Sequence, residues 1–191
     1  MTVKIGVLGL QGAVSEHVKA LESAGAEVSV VKNVEDFDGL DGLVMPGGES
    51  TTMRRLMDKY GIFDKIKDFA IDKPIFGTCA GLILMAKKIE GRKGPHLGLL
   101  DIDVKRNAFG RQVASFEADL NIKHVGEHFN GVFIRAPYIE KAGDGVEVLA
   151  TYNDKIVACR DGHFLTAAFH PELTNDARLH EYFVQLVEGK V

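Results

Sequence analysis

The stretch "KPIFGTCAGLILMA", residues 73–86, decides how this chain is read. It passes from a short apolar strand through Gly77, Cys79 and Gly81 into an apolar helix. A strand that turns at once into a helix makes a tight corner, and glycines two before and two after the cysteine let the chain pack closely there. A residue at that corner lies at the C-terminal edge of the sheet, where open α/β folds place ligands. The helix start adds a positive dipole end that favours a thiolate. A free cysteine is also a common small core filler, and the cysteine alone leaves both readings open.

Outward from this corner, strands and helices alternate. "KIGVLGL" (4–10), "AEVSVVK" (26–32), "GLVMPGG" (42–48) and "PIFGT" (74–78) read as strands. "GAVSEHVKALESAG" (12–25) has Val14, Val18 and Leu21 at helical spacing, with Gly25 as a stop. "ESTTMRRLMDKYG" (49–61) is a helix with Ser50 near its N-cap, and "IFDKIKDFAI" (62–71) and "AGLILMAKKI" (80–89) are further helices. This alternation specifies a parallel sheet covered on both faces. The second half changes rhythm. "LGLLDIDV" (97–104), "SFEADLNI" (115–122), "GVFIRAP" (131–137), "VEVLATY" (146–152), "KIVACRD" (155–161) and "HFLTAAF" (163–169) read as strands. Turns such as Asn130-Gly131 and Asp161-Gly162 join them, which makes them antiparallel additions to the parallel sheet. A closing helix in "NDARLHEYFVQLVEG" (175–189) sets Leu179, Tyr182, Phe183, Leu186 and Val187 on one face.

The 191 residues suffice for one domain with a real core, so a single domain over 1–191 is expected. The net charge of −4 comes with no basic run, and nothing favours nucleic acid or an anionic membrane as partner. The apolar run in "MTVKIGVLGLQGAVSEH" is too short for a signal peptide, and no stretch approaches the roughly 20 apolar residues of a membrane span. Two distant cysteines make no disulfide framework, so a cytoplasmic location is expected.

A nucleophilic thiolate needs a base. His170, in "LTAAFHPELT" (165–174), follows an apolar strand and belongs at a strand's end, with Pro171 fixing the backbone. Glu172 is two residues on, and in extended chain such residues share a face. A carboxylate beside an imidazole is the orienter of a nucleophile–base–orienter triad. A plain turn explains the same letters, but together with Cys79 the triad is the preferred reading. In "MPGGEST" (45–51), Gly47 and Gly48 can turn backbone N–H groups toward one point, as an oxyanion hole requires. A plain glycine turn before a helix cap also accounts for them.

Three other patterns are set aside. "HVGEH" (124–128) has the letters of an inverted zinc motif, but Gly126 and the flanking strands deny it the helix that motif needs, so no metal is expected. "GVLGLQG" (6–12) has glycines one residue out of step with the dinucleotide fingerprint, and no cofactor is expected. Cys159 reads as packing.

"GTCAG" (77–81) with a distant "HPE" (170–172) resembles the class I (triad) glutamine amidotransferases. "IGVLGLQGA" (5–13), "MPGGESTTMRRL" (45–56), "FGTCAGL" (76–82), the "RNAFGRQ…SFE" block (106–117), "GVFIRAP" and "FHPELT" narrow the resemblance to the glutaminase subunits of pyridoxal 5′-phosphate synthase, over essentially the whole chain. The resemblance implies an open three-layer, mostly parallel α/β sheet flanked by helices, with a flavodoxin-like core. It implies hydrolysis of L-glutamine to glutamate and ammonia, with Cys79 as nucleophile and His170 and Glu172 completing the triad. Gly47, Gly48 and Ala80 would surround the oxyanion, and Glu49, Arg106, Ile134 and Arg135 would bind glutamine. Gln11 would order the oxyanion wall when a partner docks. That partner would be the synthase subunit (PdxS), a (β/α)₈ barrel in a large hetero-oligomeric complex. The competing readings are the glutaminase of another amidotransferase and a cysteine hydrolase or peptidase of similar fold.

Overall fold

Short apolar segments start the sheet. In the structure, a computed structural model that describes residues 2–106, 109 and 115–191, they form β1 (Lys4–Leu8), β2 (Glu27–Val31), β3 (Gly42–Met45) and β4 (Ile75–Thr78). β3 and β4 are buried throughout, and β1 is buried after Lys4, as strands covered on both faces must be. β2, at the sheet edge, leaves Glu27, Ser29 and Val30 exposed. Helix α1 (Val14–Ser23) joins β1 to β2, while α2 (Ser50–Lys59) and α3 (Phe63–Phe69) join β3 to β4. β1 pairs with β2 and β3, and β3 with β4, all parallel.

After β4 come α4 (Ala80–Met85), β5 (Ala86–Ile89), β6 (Leu100–Lys105), β7 (Ser115–Ile122) and β8 (Gly126–Ile134). The chain continues through β9 (Tyr138–Ala142), β10 (Glu147–Tyr152), β11 (Lys155–Asp161), β12 (Phe164–Ala167) and α5 (Arg178–Val187). Among the described residues, ten strands share one sheet in the order β2-β1-β3-β4-β12-β11-β9-β6-β5, with β10 also on β11. β7 and β8 form a separate hairpin. β12 returns parallel to β4, and β11, β10 and β9 are antiparallel additions beyond it. The expected mostly parallel α/β sheet with antiparallel additions is therefore present. Helix α1 packs with α5, and α2 with α3 and α4, so helices cover the sheet in two groups. Phe183 of α5 meets Phe76 of β4 with ring centroids 5.5 Å apart, which anchors the closing helix on the sheet.

Three local expectations are corrected. The segment 80–89 is not one helix: it ends at Met85, and Ala86–Ile89 pairs parallel with β6. Its burial pattern, apolar at 86 and 89 with two exposed lysines between, follows the helical period, and the pairing with β6, irregular between Ala86 and Lys88, overrides it. Asn130-Gly131 is not a turn but lies inside β8, where Asn130 Nδ2 donates to Glu117 Oε1 at 2.8 Å. Strand β9 lies where no strand was expected. Ser50 is next to the N-cap of α2, as expected; the cap itself is Glu49, whose side chain accepts from the Thr52 N–H.

Candidate active site

The register between β4 and β12 builds the site. Ala167 lies beside Thr78, and Cys79 N–H donates to the Ala167 carbonyl at 2.9 Å. Cys79 and the segment after β12 therefore leave the sheet side by side. Cys79 has φ +52° and ψ −108°, a conformation few L residues adopt. Both flanking glycines are sterically required. A Cβ on Gly81 would strike the Met45 carbonyl, and one on Gly77 would come within 2.7 Å of the Gly81 backbone. The corner expected from the sequence is present, and packing fixes it.

His170 is tied to β8 by its N–H, which donates to the Val132 carbonyl at 2.7 Å. Its Nδ1 is 3.1 Å from Glu172 Oε2, and the ring and Cys79 both border Gly47. Glu172 follows in a short 3₁₀ turn, Pro171–Leu173, with its side chain fully buried. Burial pulls the His170 pKa down, but the interaction with Cys79 and the hydrogen bond to Glu172 outweigh it and raise it to about 10. These contacts favour the imidazolium form of the ring. The structure brings Cys79, His170 and Glu172 together in that order.

Gly47 borders this line, since a Cβ there would lie 2.8 Å from His170 Cε1 and 3.4 Å from Cys79 Cβ. Gln11 stands behind the glycine pair. Its Oε1 accepts from Glu49 N–H at 2.9 Å, and a Cβ on Gly48 would meet it at 2.6 Å. The Gly47 carbonyl is aimed at Gly12, where any Cβ would strike it. The peptide is trans, so the Gly48 N–H points away from the Gly12 loop.

A cleft of about 920 Å³ opens over Cys79. Gly48, Glu49, Ala80, Arg106, Ile134, Arg135 and His170 line it, as expected for a substrate site, whereas Gln11 and Gly47 lie behind that lining. Glu49 has a second task. Its Oε2 accepts from Thr52 N–H at 2.6 Å, and the hydrogen bonds from Thr52 hold its carboxyl below the usual range. Arg106 directly follows β6, and of the rest of the "RNAFGRQ" block only Phe109 is among the described residues. The Ile134 carbonyl faces Cys79 Sγ at 4.0 Å, and Arg135 has φ +44°. Ser50, Ile83, Glu90 and Gly91 also line the cleft and were missed by the sequence reading. Glu90 and Gly91 follow β5, the strand that had been read as helix. Two buried histidines behind Glu172, His17 and His180, were missed as well, because they are 163 positions apart and only the fold joins them.

The patterns set aside lie elsewhere. His124 turns to Glu147 at 3.1 Å and His128 to Asp119 at 3.0 Å, so the two rings serve different carboxylates. Cys159 is buried in β11 with Sγ 3.1 Å from Thr166 Oγ1, and burial pushes its thiol up to about 11.

The profile of the SNO glutamine amidotransferase family matches residues 7–189. The chain belongs to the SNO glutamine amidotransferase family. This amidotransferase is 74% identical over 188 residues to the pyridoxal 5′-phosphate synthase subunit PdxT of Oenococcus oeni, covering 98% of each chain. It is 66% identical over 187 residues to the protein of the same name from Geobacillus kaustophilus, covering 97% of this chain and 95% of that one. A crystal structure titled glutamine amidotransferase superimposes with a TM-score of 0.91 at 49% identity, covering 96% of this chain and 98% of the other. The amidotransferase family resemblance and its fold are those of this chain.

Proposed function

We propose that this chain, acting as one domain over residues 1–191, is the glutaminase subunit of a pyridoxal 5′-phosphate synthase. The observation that carries the reading is the Cys79–His170–Glu172 line at the floor of a cleft that also holds Glu49 and Arg106. The relatives named above as synthase subunits support it.

The reaction follows from these groups. Cys79 sulfur attacks the side-chain amide carbon of L-glutamine, and a carbon–sulfur bond forms as the carbonyl pair moves onto oxygen. Backbone N–H groups of Gly48 and Ala80 meet that charge, and one such donor contributes about 3–4 kcal/mol to lowering the barrier. His170 gives its proton to the departing nitrogen, the carbon–nitrogen bond breaks, and ammonia leaves behind a glutamyl thioester. Water then attacks the thioester, returning a proton to His170, and the carbon–sulfur bond breaks to release glutamate. Glu172 holds the ring in place through both steps. Arg106 and Glu49 suit the α-carboxylate and α-ammonium of glutamine, with Ile134 and Arg135 closing the cleft wall.

The ammonia passes to a synthase subunit of (β/α)₈ fold in a hetero-oligomeric complex. A cytoplasmic location belongs to the same proposal. The two free cysteines suit a reducing compartment, and no helix among the described residues is long and apolar enough to cross a membrane. The test is glutamate and ammonia release by the wild type and Cys79→Ala, with and without the synthase subunit. Hydrolysis in the wild type and none in the variant is expected. A variant that retains near wild-type turnover overturns the assignment, and peptide cleavage without glutamine hydrolysis favours the peptidase reading.

A further inference from the structure

Behind the triad lies a second layer of buried polar groups. His17, on α1, has no solvent exposure, and neither has His180 on α5. His17 Nδ1 is 2.9 Å from His180 Nε2. The other nitrogen of His17, Nε2, lies 3.6 Å from Glu172 Oε1 and 3.4 Å from Thr78 Oγ1. Thr78 is the residue before Cys79. Glu172 Oε2 serves His170, whereas Oε1 has no hydrogen-bond partner among the described residues, and neither has His180 Nδ1.

These distances fix the direction of the hydrogen bond between the two rings. Both histidines are held neutral: burial lowers the pKa of His17 well below its ordinary value, with His180 and His170 adding to the effect, and burial lowers that of His180 to about 4. A bond between two neutral imidazoles needs one donor and one acceptor. If His17 donated through Nδ1, its Nε2 lone pair would face the lone pairs of Glu172 Oε1 with only the Thr78 hydroxyl, at 3.4 Å, to donate to it, and His180 would bury an N–H at Nδ1 with no acceptor. If His180 donates through Nε2, His17 carries its proton on Nε2, facing Glu172 Oε1 and Thr78 Oγ1. The unpartnered atom of His180 is then a lone pair rather than an N–H, the cheaper group to leave unmatched. At 3.6 Å the His17–Glu172 contact is longer than a hydrogen bond, but it supplies the only donor dipole facing Oε1 among the described residues.

We propose that His17 is a positioning residue of the triad: its Nε2–H, set by the hydrogen bond from His180, steadies the buried Glu172 carboxylate so that its other oxygen holds His170. This rests on the triad reading given above. The edge-on packing of His180 against Phe76, with centroids 5.8 Å apart at 71°, fixes the far end of the chain of groups to β4. The titratable groups facing His17 among the described residues are His180 on α5 and His170 and Glu172 after β12, and those facing His170 are Cys79, Glu172 and His17.

Three measurements test it on wild type, His17→Gln and His17→Leu. Nitrogen NMR of ¹⁵N-histidine protein, with His17 assigned by its loss in the Gln variant, reads the tautomer directly. The Nε2–H form is expected, and an Nδ1–H form overturns the proposal whatever the variants do. Titration of the His170 ring by proton NMR should keep its raised midpoint in the Gln variant, which restores a side-chain N–H donor, and fall in the Leu variant. Glutamine hydrolysis with the synthase subunit present should fall about tenfold in kcat for His17→Leu, with KM unchanged and with recovery in His17→Gln, the effect of losing one weak charge-assisted contact. An unmoved His170 midpoint in His17→Leu, or equal damage in both variants, overturns the proposal. If His17→Leu does not fold, the wild-type tautomer and the Gln variant still decide. If the wild type hydrolyses no glutamine, the function reading fails while the tautomer and the His170 midpoint still judge the relay.

Discussion

Cys79 and Cys159 carry the same side chain in opposite surroundings. Cys79 lines the cleft beside a histidine whose pKa is raised to about 10. Cys159 is enclosed in β11, and burial raises its thiol to about 11, so it stays protonated and shielded at neutral pH. Iodoacetamide at pH 7.5 should therefore modify Cys79 and leave Cys159 intact. Peptide mapping by mass spectrometry checks this, and equal labelling would remove the distinction. The triad should also show graded losses. Cys79→Ala and His170→Asn each remove a group that exchanges a bond or proton with substrate, and kcat should fall by about 10⁴-fold or more. Glu172→Gln keeps the shape and removes an orienting charge, so its loss should be smaller. Steady-state kinetics on purified, folded variants decides the order, and a Glu172 variant worse than the Cys79 variant would contradict the roles assigned.

At the scale of elements, the site depends on one tight crossing of β3, β4 and α4. A methyl on Gly81 would strike the Met45 backbone, which cannot move without shifting β3. Gly81→Ala should cost about 2 kcal/mol or more and abolish turnover, whereas Gly145→Ala, with nothing within 4 Å of its Cβ, should change stability by less than about 0.5 kcal/mol. Urea unfolding of the pair tests this, and similar midpoints would show that the corner tolerates a side chain. Such local crowding is why the corner was legible from Gly77, Cys79 and Gly81 alone: the signal lies within five residues. Other features depend on partners far along the chain. Ala86–Ile89 is strand because β6 lies beside it, and no window of sequence contains that pairing. Gly131 resembled a turn glycine, yet it is small because a Cβ there would lie 2.6 Å from Leu120 Cδ1 across the hairpin. The turn itself falls at residues 123–125, where His124 takes φ +68°. Glu90 and Gly91 reached the cleft unannounced for the same reason, since the strand before them places them there.

At the scale of the whole molecule, two consequences follow from what is buried. The His17–His180 pair is neutral in the fold and free to protonate when unfolded. The folded pKa of His180, about 4, is below the unfolded value of about 6.5, so the unfolded state binds the extra proton first as pH falls. Stability is full above pH 6.5 and declines from there toward pH 4, by about 2 kcal/mol between pH 7 and pH 5 from His180 alone. His170 works in the opposite sense: raised to about 10, it stabilises fully below pH 6.5, and that contribution is lost as pH rises through 10. Urea unfolding at pH 7 and pH 5 should show the acid loss, and a flat profile would mean that the pair is not buried neutral. The second consequence concerns control by the synthase subunit. Glycine accepts either sign of φ, so the Gly47-Gly48 peptide has two orientations of similar energy, and its neighbours choose between them. The chief neighbour is the loop after β1: Gln11 holds the Glu49 N–H and packs on Gly48, and Gly12 leaves room for the Gly47 carbonyl. A carbonyl turned into the site repels the developing oxyanion, and an N–H stabilises it. The structure holds the N–H orientation, with the Gly47 carbonyl on the Gly12 side, and a partner that favours it by about 3 kcal/mol would multiply its ratio to the carbonyl orientation by roughly 150. Glutamine hydrolysis should therefore rise tenfold or more on titration with the synthase subunit. Gln11→Ala should weaken that activation by about tenfold while the dissociation constant, measured by calorimetry, changes less than about threefold. An isolated chain already running at the rate of the complex would remove the switch, and parallel loss of binding and activation in Gln11→Ala would make Gln11 a docking residue instead.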